Sequence, residues 1–147
     1  VPSCTTMLTG THQGAMTVSS GVACFDGATV SGPVTVAEGA GLYASGSDFR
    51  GPVTASGAGN VLLCGTTVSG PVTVTGATRV WLGNPNGECA PATVRGPVAV
   101  QNNTGSTVVS GNHISGPLSC TGNIPAPINV GVPNVVSGLK SGQCAGL

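Results

Sequence analysis

The sequence predicts an all-β protein, a right-handed parallel β-helix (β-solenoid) of about six coils of 19–20 residues. Three features favour this fold: a short phrase that recurs at a nearly constant interval, a composition poor in helix formers, and an even number of cysteines. The phrase TVSGPVTV occurs at 29–36 and again at 67–74, and looser copies surround Pro52, Pro97 and Pro117.

The composition indicates that this chain is neither mainly helical nor disordered. Of the 147 residues only 5% are charged and 3% are aromatic, whereas 25 are glycine; a typical soluble domain is about 25% charged. Gly, Val, Thr, Ser and Pro are poor helix formers, and the 39% apolar fraction is too high for a disordered chain. The core is therefore expected to consist of small β-branched side chains on strands.

The spacing of the repeat predicts stacked coils. The prolines that follow glycine are at 33, 52, 71, 97 and 117, and Ala15 takes the place of proline in a sixth, first copy. Each unit holds three short apolar runs separated by glycines, which describes one coil of three strands. Coils stacked about 4.8 Å apart would bury their apolar side chains together. A β-sandwich also uses many short strands, but it needs no fixed period.

Each Gly-Pro step is interpreted as a corner followed by a strand. Glycine permits backbone angles that other residues avoid, and proline suits a corner or the first residue of a strand. In the Pro-Val-Thr-Val runs that follow, the threonines should face solvent. The valines expected inside are Val34, Val36, Val53, Val72, Val74, Val98 and Val100.

We interpret residues 1–147 as a single domain. Because a solenoid ends in open β-edges that need covering, residues 1–13 are expected to form an N-terminal cap and residues 121–147 a C-terminal cap. The repeat coils then occupy residues 14–120, with an insertion at 84–90 that accounts for the one long interval.

The six cysteines predict three disulfides. None lies in a C-x-x-C pair or at zinc-ligand spacing. Among the 15 possible connectivities, nearest-neighbour pairing closes both ends and holds the insertion. Each closed loop is worth on the order of 3 kcal/mol. The predicted bridges are Cys4–Cys24, Cys64–Cys89 and Cys120–Cys144.

Disulfides and the first residue together predict an extracellular, secreted protein. Disulfides persist in oxidising compartments, and the sequence begins at Val1, as a chain does after removal of a signal peptide.

The end of the chain resembles a known group. The segment CTGNIPAP at 120–127 and the segment NVVSGLKSGQC at 134–144 are similar to the ending of secreted actinobacterial Gly/Val-rich repeat proteins. The resemblance covers the repeats and the tail, and it implies a secreted, disulfide-closed β-helix without implying an activity. This chain departs from the group in using Gly-Pro in its repeats and in carrying the insertion.

The titratable residues predict no catalytic, cofactor or metal site. β-Helix lyases and hydrolases need clustered carboxylates, and no register places two acids side by side. Asp48 and Arg50 share one coil, and Arg95 repeats the position of Arg50 two coils later. His12 and His113 are about five coils apart, too far to share a ligand.

One predicted surface is ordered enough to bind a partner. It is a nearly flat, uncharged face at the outward positions after each Gly-Pro step, interrupted by Ala37, Ala99 and Gln101. Tyr43 and Trp81, on other strands, are expected either to stack on a carbohydrate or to join the core. The candidate binding residues are Thr17, Ser19, Thr35, Thr54, Ser56, Thr73, Thr75, Ser119 and Thr121.

These observations favour a non-enzymatic structural or surface protein, a rod that assembles end to end or side by side or that mediates adhesion. The alternative is a binding module for ice or a cell-surface polysaccharide, and a glycan-active enzyme is a weaker third hypothesis. The formal net charge of zero gives no reason to expect nucleic acid as a partner. No apolar run is long enough to span a membrane.

Overall fold

The computed structural model describes residues 3–147 as a parallel β-solenoid of about seven turns. Each complete coil contributes one strand to each of three sheets, here called sheets I, II and III in chain order. Sheet I has six strands, and sheets II and III have seven each. The all-β solenoid prediction is confirmed, with one turn more than expected.

The strands follow one another around the coils. The first three coils contain β1 (Thr6–Leu8), β2 (Thr11–His12), β3 (Met16–Val18), β4 (Val22–Asp26), β5 (Thr29–Val30), β6 (Val34–Val36), β7 (Gly41–Ser45), β8 (Asp48–Phe49) and β9 (Val53–Ser56). The next three contain β10 (Asn60–Cys64), β11 (Thr67–Val68), β12 (Val72–Thr75), β13 (Arg79–Leu82), β14 (Thr93–Val94), β15 (Val98–Gln101), β16 (Ser106–Val109), β17 (His113–Ile114) and β18 (Leu118–Thr121). The last coil contains β19 (Val135–Val136) and β20 (Lys140–Gly142), and Ile128 adds a parallel bridge to Val108 of sheet I.

Both segments assigned to caps continue the sheets. β1 and β2, within 1–13, pair in parallel with β4 and β5. β19 and β20, within 121–147, pair with β17 and β18. The C-terminal segment therefore supplies the seventh turn, although its sequence lacks the Gly-Pro phrase. The insertion is a 3-10 turn, Pro85–Gly87, closed by an antiparallel bridge between Asn84 and Cys89.

The interior is filled by short aliphatic ladders. All seven valines predicted to point inward are buried, with 0–1% of each exposed. Phe25 and Phe49 add one aromatic contact, with ring centroids 5.1 Å apart and an edge-to-face geometry. The alternation in the sequence therefore predicts correctly which face of each sheet III strand is buried.

The glycine of each Gly-Pro pair is needed because the coils stack closely there. This corrects the sequence-based interpretation that it is needed for an unusual backbone angle. Its φ lies outside the left-handed region. A Cβ built on Gly70 would lie 2.8 Å from the nitrogen of Pro52 and 3.0 Å from the carbonyl carbon of Gly51. Successive corners touch backbone to backbone, and no side chain fits between them. The column consists of Gly32, Gly51, Gly70, Gly96, Gly116 and Gly138.

Left-handed residues lie instead at the corner that follows sheet I, as at Gly46 and Gly65, and at the corner that follows sheet III. Gly76, Asn102 and Gly122 occupy equivalent places after their strands and have φ values of 68°, 53° and 64°. Glycine adopts this conformation without steric cost, and asparagine is among the few other residues that tolerate it.

Buried amides satisfy the backbone beside this corner. Asn103 accepts a hydrogen bond from the N–H of Ala77 (2.7 Å), and its Nδ2 donates to Oδ1 of Asn123 (2.8 Å). Nδ2 of Asn123 donates in turn to Oε1 of Gln143 (2.9 Å). The ladder ties four coils together through groups that would be costly to leave unpaired in the interior.

A second polar ladder runs along the corner between sheets I and II. Its C-terminal part joins Asn112 to Oδ1 of Asn134 (2.9 Å). In its N-terminal part the hydroxyl of Ser47 accepts from Ala28 N–H (3.2 Å), and that of Thr66 donates to the carbonyl of Cys64 (3.0 Å). The two ladders thus hold these two corners by side-chain hydrogen bonds as well as by the sheets.

The three predicted disulfides are confirmed, and they act at different places. Cys4–Cys24 and Cys64–Cys89 lie on the outer side of sheet I, at the first coils and at the insertion. Cys120–Cys144 is buried within the core at the C-terminal end, where Leu147 also packs against the core. No helix in residues 3–147 has the length and hydropathy needed to cross a bilayer.

Candidate binding faces

The predicted binding residues share the outward face of sheet III, which we call the hydroxyl face. Its central column is in direct register: Thr17, Thr35, Thr54, Thr73, Ala99, Ser119 and Ser141. A second column, two residues further along each strand, contains Ser19, Ala37, Ser56, Thr75, Gln101 and Thr121. Every candidate residue is at least partly exposed. Sequence reasoning missed Ser141, because the last coil lacks the Gly-Pro phrase.

The hydroxyl face has no charged side chain at its outward positions. Lys140 is the one charged residue in the strands of sheet III, and it pairs with the inward-facing Leu118. The face therefore offers rows of small hydroxyl donors and acceptors that repeat every coil, about 4.8 Å apart. Such an array is complementary to another regular, uncharged surface.

Three of the eight charged residues lie on the outward face of sheet II. Asp48 and Arg50 form an exposed ion pair with 3.7 Å between Oδ2 and Nε. Together with Arg95, two coils away, they line a polar depression of about 660 Å³ whose wall also includes Thr67 and Ser69. The sequence predicts the shared register of the two arginines, but not the depression between them.

Tyr43 and Trp81 belong to a small cluster on the outer side of sheet I. They are two coils apart in one column with the fully buried Leu62 between them. The Cys64–Cys89 bridge covers the same cluster. Both rings are partly exposed, so they pack outside the main core while still offering a surface.

The indole ring of Trp81 is held on several sides. The guanidinium of Arg79 lies 5.4 Å from the ring centroid, and Gly87 of the insertion sits so close to the ring that a Cβ there would clash with it. The indole N–H is buried and has no hydrogen-bond partner among residues 3–147. The insertion therefore fixes this ring and limits how much of it a sugar could stack on.

The histidines and remaining acids do not come together. Nε2 of His12 lies 2.8 Å from the carbonyl oxygen of Thr9 on the first coil, whereas His113 lies on the sixth. Asp26 lies opposite Ser45 on the neighbouring strand, not opposite another acid. Within residues 3–147, no three His, Cys, Asp or Glu side chains are grouped as metal ligands would be.

Comparisons with protein-family models, with curated proteins and with solved structures found no match to this chain.

Proposed function

We propose that this chain is a non-enzymatic, secreted structural or surface protein, a rigid rod that acts through self-assembly or adhesion. The supporting observation is the hydroxyl face, which presents small uncharged side chains on seven stacked strands. Two such faces can approach without electrostatic repulsion, and stacked sheets pack about 10 Å apart. Secretion is supported by the three disulfides.

Side-by-side contact fits this geometry better than end-to-end stacking. At the C-terminal end Cys144 is fully buried and Leu147 packs against the core. A coil added there would first have to displace this tail. The hydroxyl faces of two copies are open along their length, and two identical faces would meet in a closed, isologous contact.

The test is the association state of the rod. Sedimentation velocity over a range of concentrations should reveal association of the unmodified chain. Thr54→Arg with Thr73→Arg places two charges on the hydroxyl face and should weaken association at least about tenfold, since like charges brought together cost several kcal/mol. Thr29→Arg with Thr93→Arg adds the same charge on sheet II and should leave association unchanged.

Two outcomes would count against assembly through this face. One is an unmodified chain that remains monomeric at every concentration. The other is an equal loss of association in both double variants, which would indicate a general effect of charge. Turnover of a glycan by the purified chain would contradict the non-enzymatic part of the proposal.

A second candidate function is binding of ice or of a neutral polysaccharide by the same face. The observation in its favour is the regular column of hydroxyls in direct register, which matches a partner with its own repeat. Thr54→Tyr or Thr73→Tyr would break the flatness and should abolish thermal hysteresis. Thr93→Tyr, on sheet II, is the control. The ice form is excluded if the unmodified chain does not alter ice growth.

A further inference from the structure

The depression on sheet II has two arginines at fixed separation. Arg50, Ser69 and Arg95 each follow directly on a paired residue of β8, β11 and β14, so they form one outward column. Two coil steps place the Cα atoms of Arg50 and Arg95 about 10 Å apart. A distance on this scale suits an extended polymer that contacts both side chains.

Hydroxyl groups occupy the space between the arginines. Thr67 and Ser69 line the depression, and Gly46 and Gly65 leave its edge open because they have no side chains. His113 lies in the same column as Thr67, beyond Thr93. The surface therefore combines cationic ends with a centre that can donate hydrogen bonds to, and accept them from, sugar hydroxyls.

The positive charge of the depression exceeds its negative charge. Two guanidinium groups face one carboxylate, that of Asp48, which is bound to Arg50 only through an exposed pair with 62% and 43% of the two side chains accessible. Such a pair is weak and exchanges readily for another anion. No carboxylate of residues 3–147 is within ion-pair distance of Arg95.

We propose that this depression binds an acidic polysaccharide, with anionic groups of the polymer on Arg50 and Arg95 and a sugar ring over Thr67 and Ser69. The planar guanidinium group matches carboxylates and sulfates through paired hydrogen bonds. A nucleic acid fits less well, because its affinity depends on many phosphate contacts and this face offers two strong cations. The site lies on sheet II, so its test is independent of assembly through the hydroxyl face.

The experiment is calorimetric titration of the full chain at low ionic strength. The probes are polygalacturonate (carboxylated), dextran sulfate (sulfated), neutral dextran and a single-stranded DNA oligonucleotide. The charged polysaccharides should bind and neutral dextran should not. Arg50→Gln with Arg95→Gln should weaken binding about tenfold, the combined effect of two exposed charge contacts. Arg79→Gln, which removes one positive charge from sheet I, should alter it less than twofold.

Asp48→Asn provides a test in the opposite direction. It removes the anion that competes for Arg50, so binding should tighten about threefold. Any preference between the two acidic polymers identifies the anionic group. The proposal is overturned if neither polymer binds, if neutral dextran or DNA binds as tightly, if Arg79→Gln weakens binding as much as the double variant, or if Asp48→Asn fails to tighten it. Unfolding curves of each variant establish that the fold is intact.

Discussion

Replacing Gly70 by alanine should destabilise the solenoid although it adds only one methyl group. The new Cβ would lie 2.8 Å from the nitrogen of Pro52 and 3.0 Å from the carbonyl carbon of Gly51. Both neighbours are backbone atoms of the preceding coil, so relief requires the two coils to separate locally. Overpacking of this kind costs about 1–3 kcal/mol, and the smaller entropy of the unfolded alanine chain returns about 0.5 kcal/mol. The net loss should be about 1.5 kcal/mol.

Gly59→Ala is the matched control. A Cβ at Gly59 would meet only the carbonyl oxygens of Ala40 and Gly39, at 3.8 and 4.0 Å, and the backbone there is not left-handed. This substitution should be neutral or stabilising by about 0.5 kcal/mol. Thermal unfolding under oxidising conditions should show a midpoint about 3–6 °C lower for Gly70→Ala. An unchanged midpoint, or an equal loss at Gly59, would refute the close-stacking explanation.

Two further predictions concern the polar ladder and the insertion. Asn112→Leu keeps the side-chain size but leaves buried hydrogen-bond partners unpaired. Urea unfolding should therefore show that the free energy of unfolding falls by about 3 kcal/mol. The control, Asn86→Leu on the exposed insertion, should lower it by less than about 0.5 kcal/mol. Replacing Cys64 and Cys89 together by serine should lower the free energy of unfolding by about 3 kcal/mol. It should also release the loop that covers Trp81, so the fluorescence of Trp81 should shift to the red. An unshifted spectrum would show that the bridge does not hold the loop.

The sequence determined the features that depend on local periodicity. A constant interval between the Gly-Pro copies specifies coils, because inward valines can be buried only by a neighbour with the same spacing. Alternation then assigns Val72 and Val74 to the interior and Thr73 to the hydroxyl face. Nearest-neighbour cysteine pairing follows as well, because residues about one coil apart in sequence are adjacent in space.

Only the tertiary structure shows the features that depend on contacts between coils. One of them is the last coil, which lacks the repeated phrase. The last segment contains no Gly-Pro pair, yet β20 extends sheet III because its backbone groups complete the open edge of β18.

Close contact between stacked coils also decides what glycine does at each corner. Glycine before proline allows contact between backbones, whereas left-handed turns lie at the corners after sheets I and III, as at Gly65 and Gly76. The depression between Arg50 and Arg95 likewise exists only when their coils are stacked. Periodicity is local and can be read along the chain, whereas these distances arise between residues that meet only after the coils have closed.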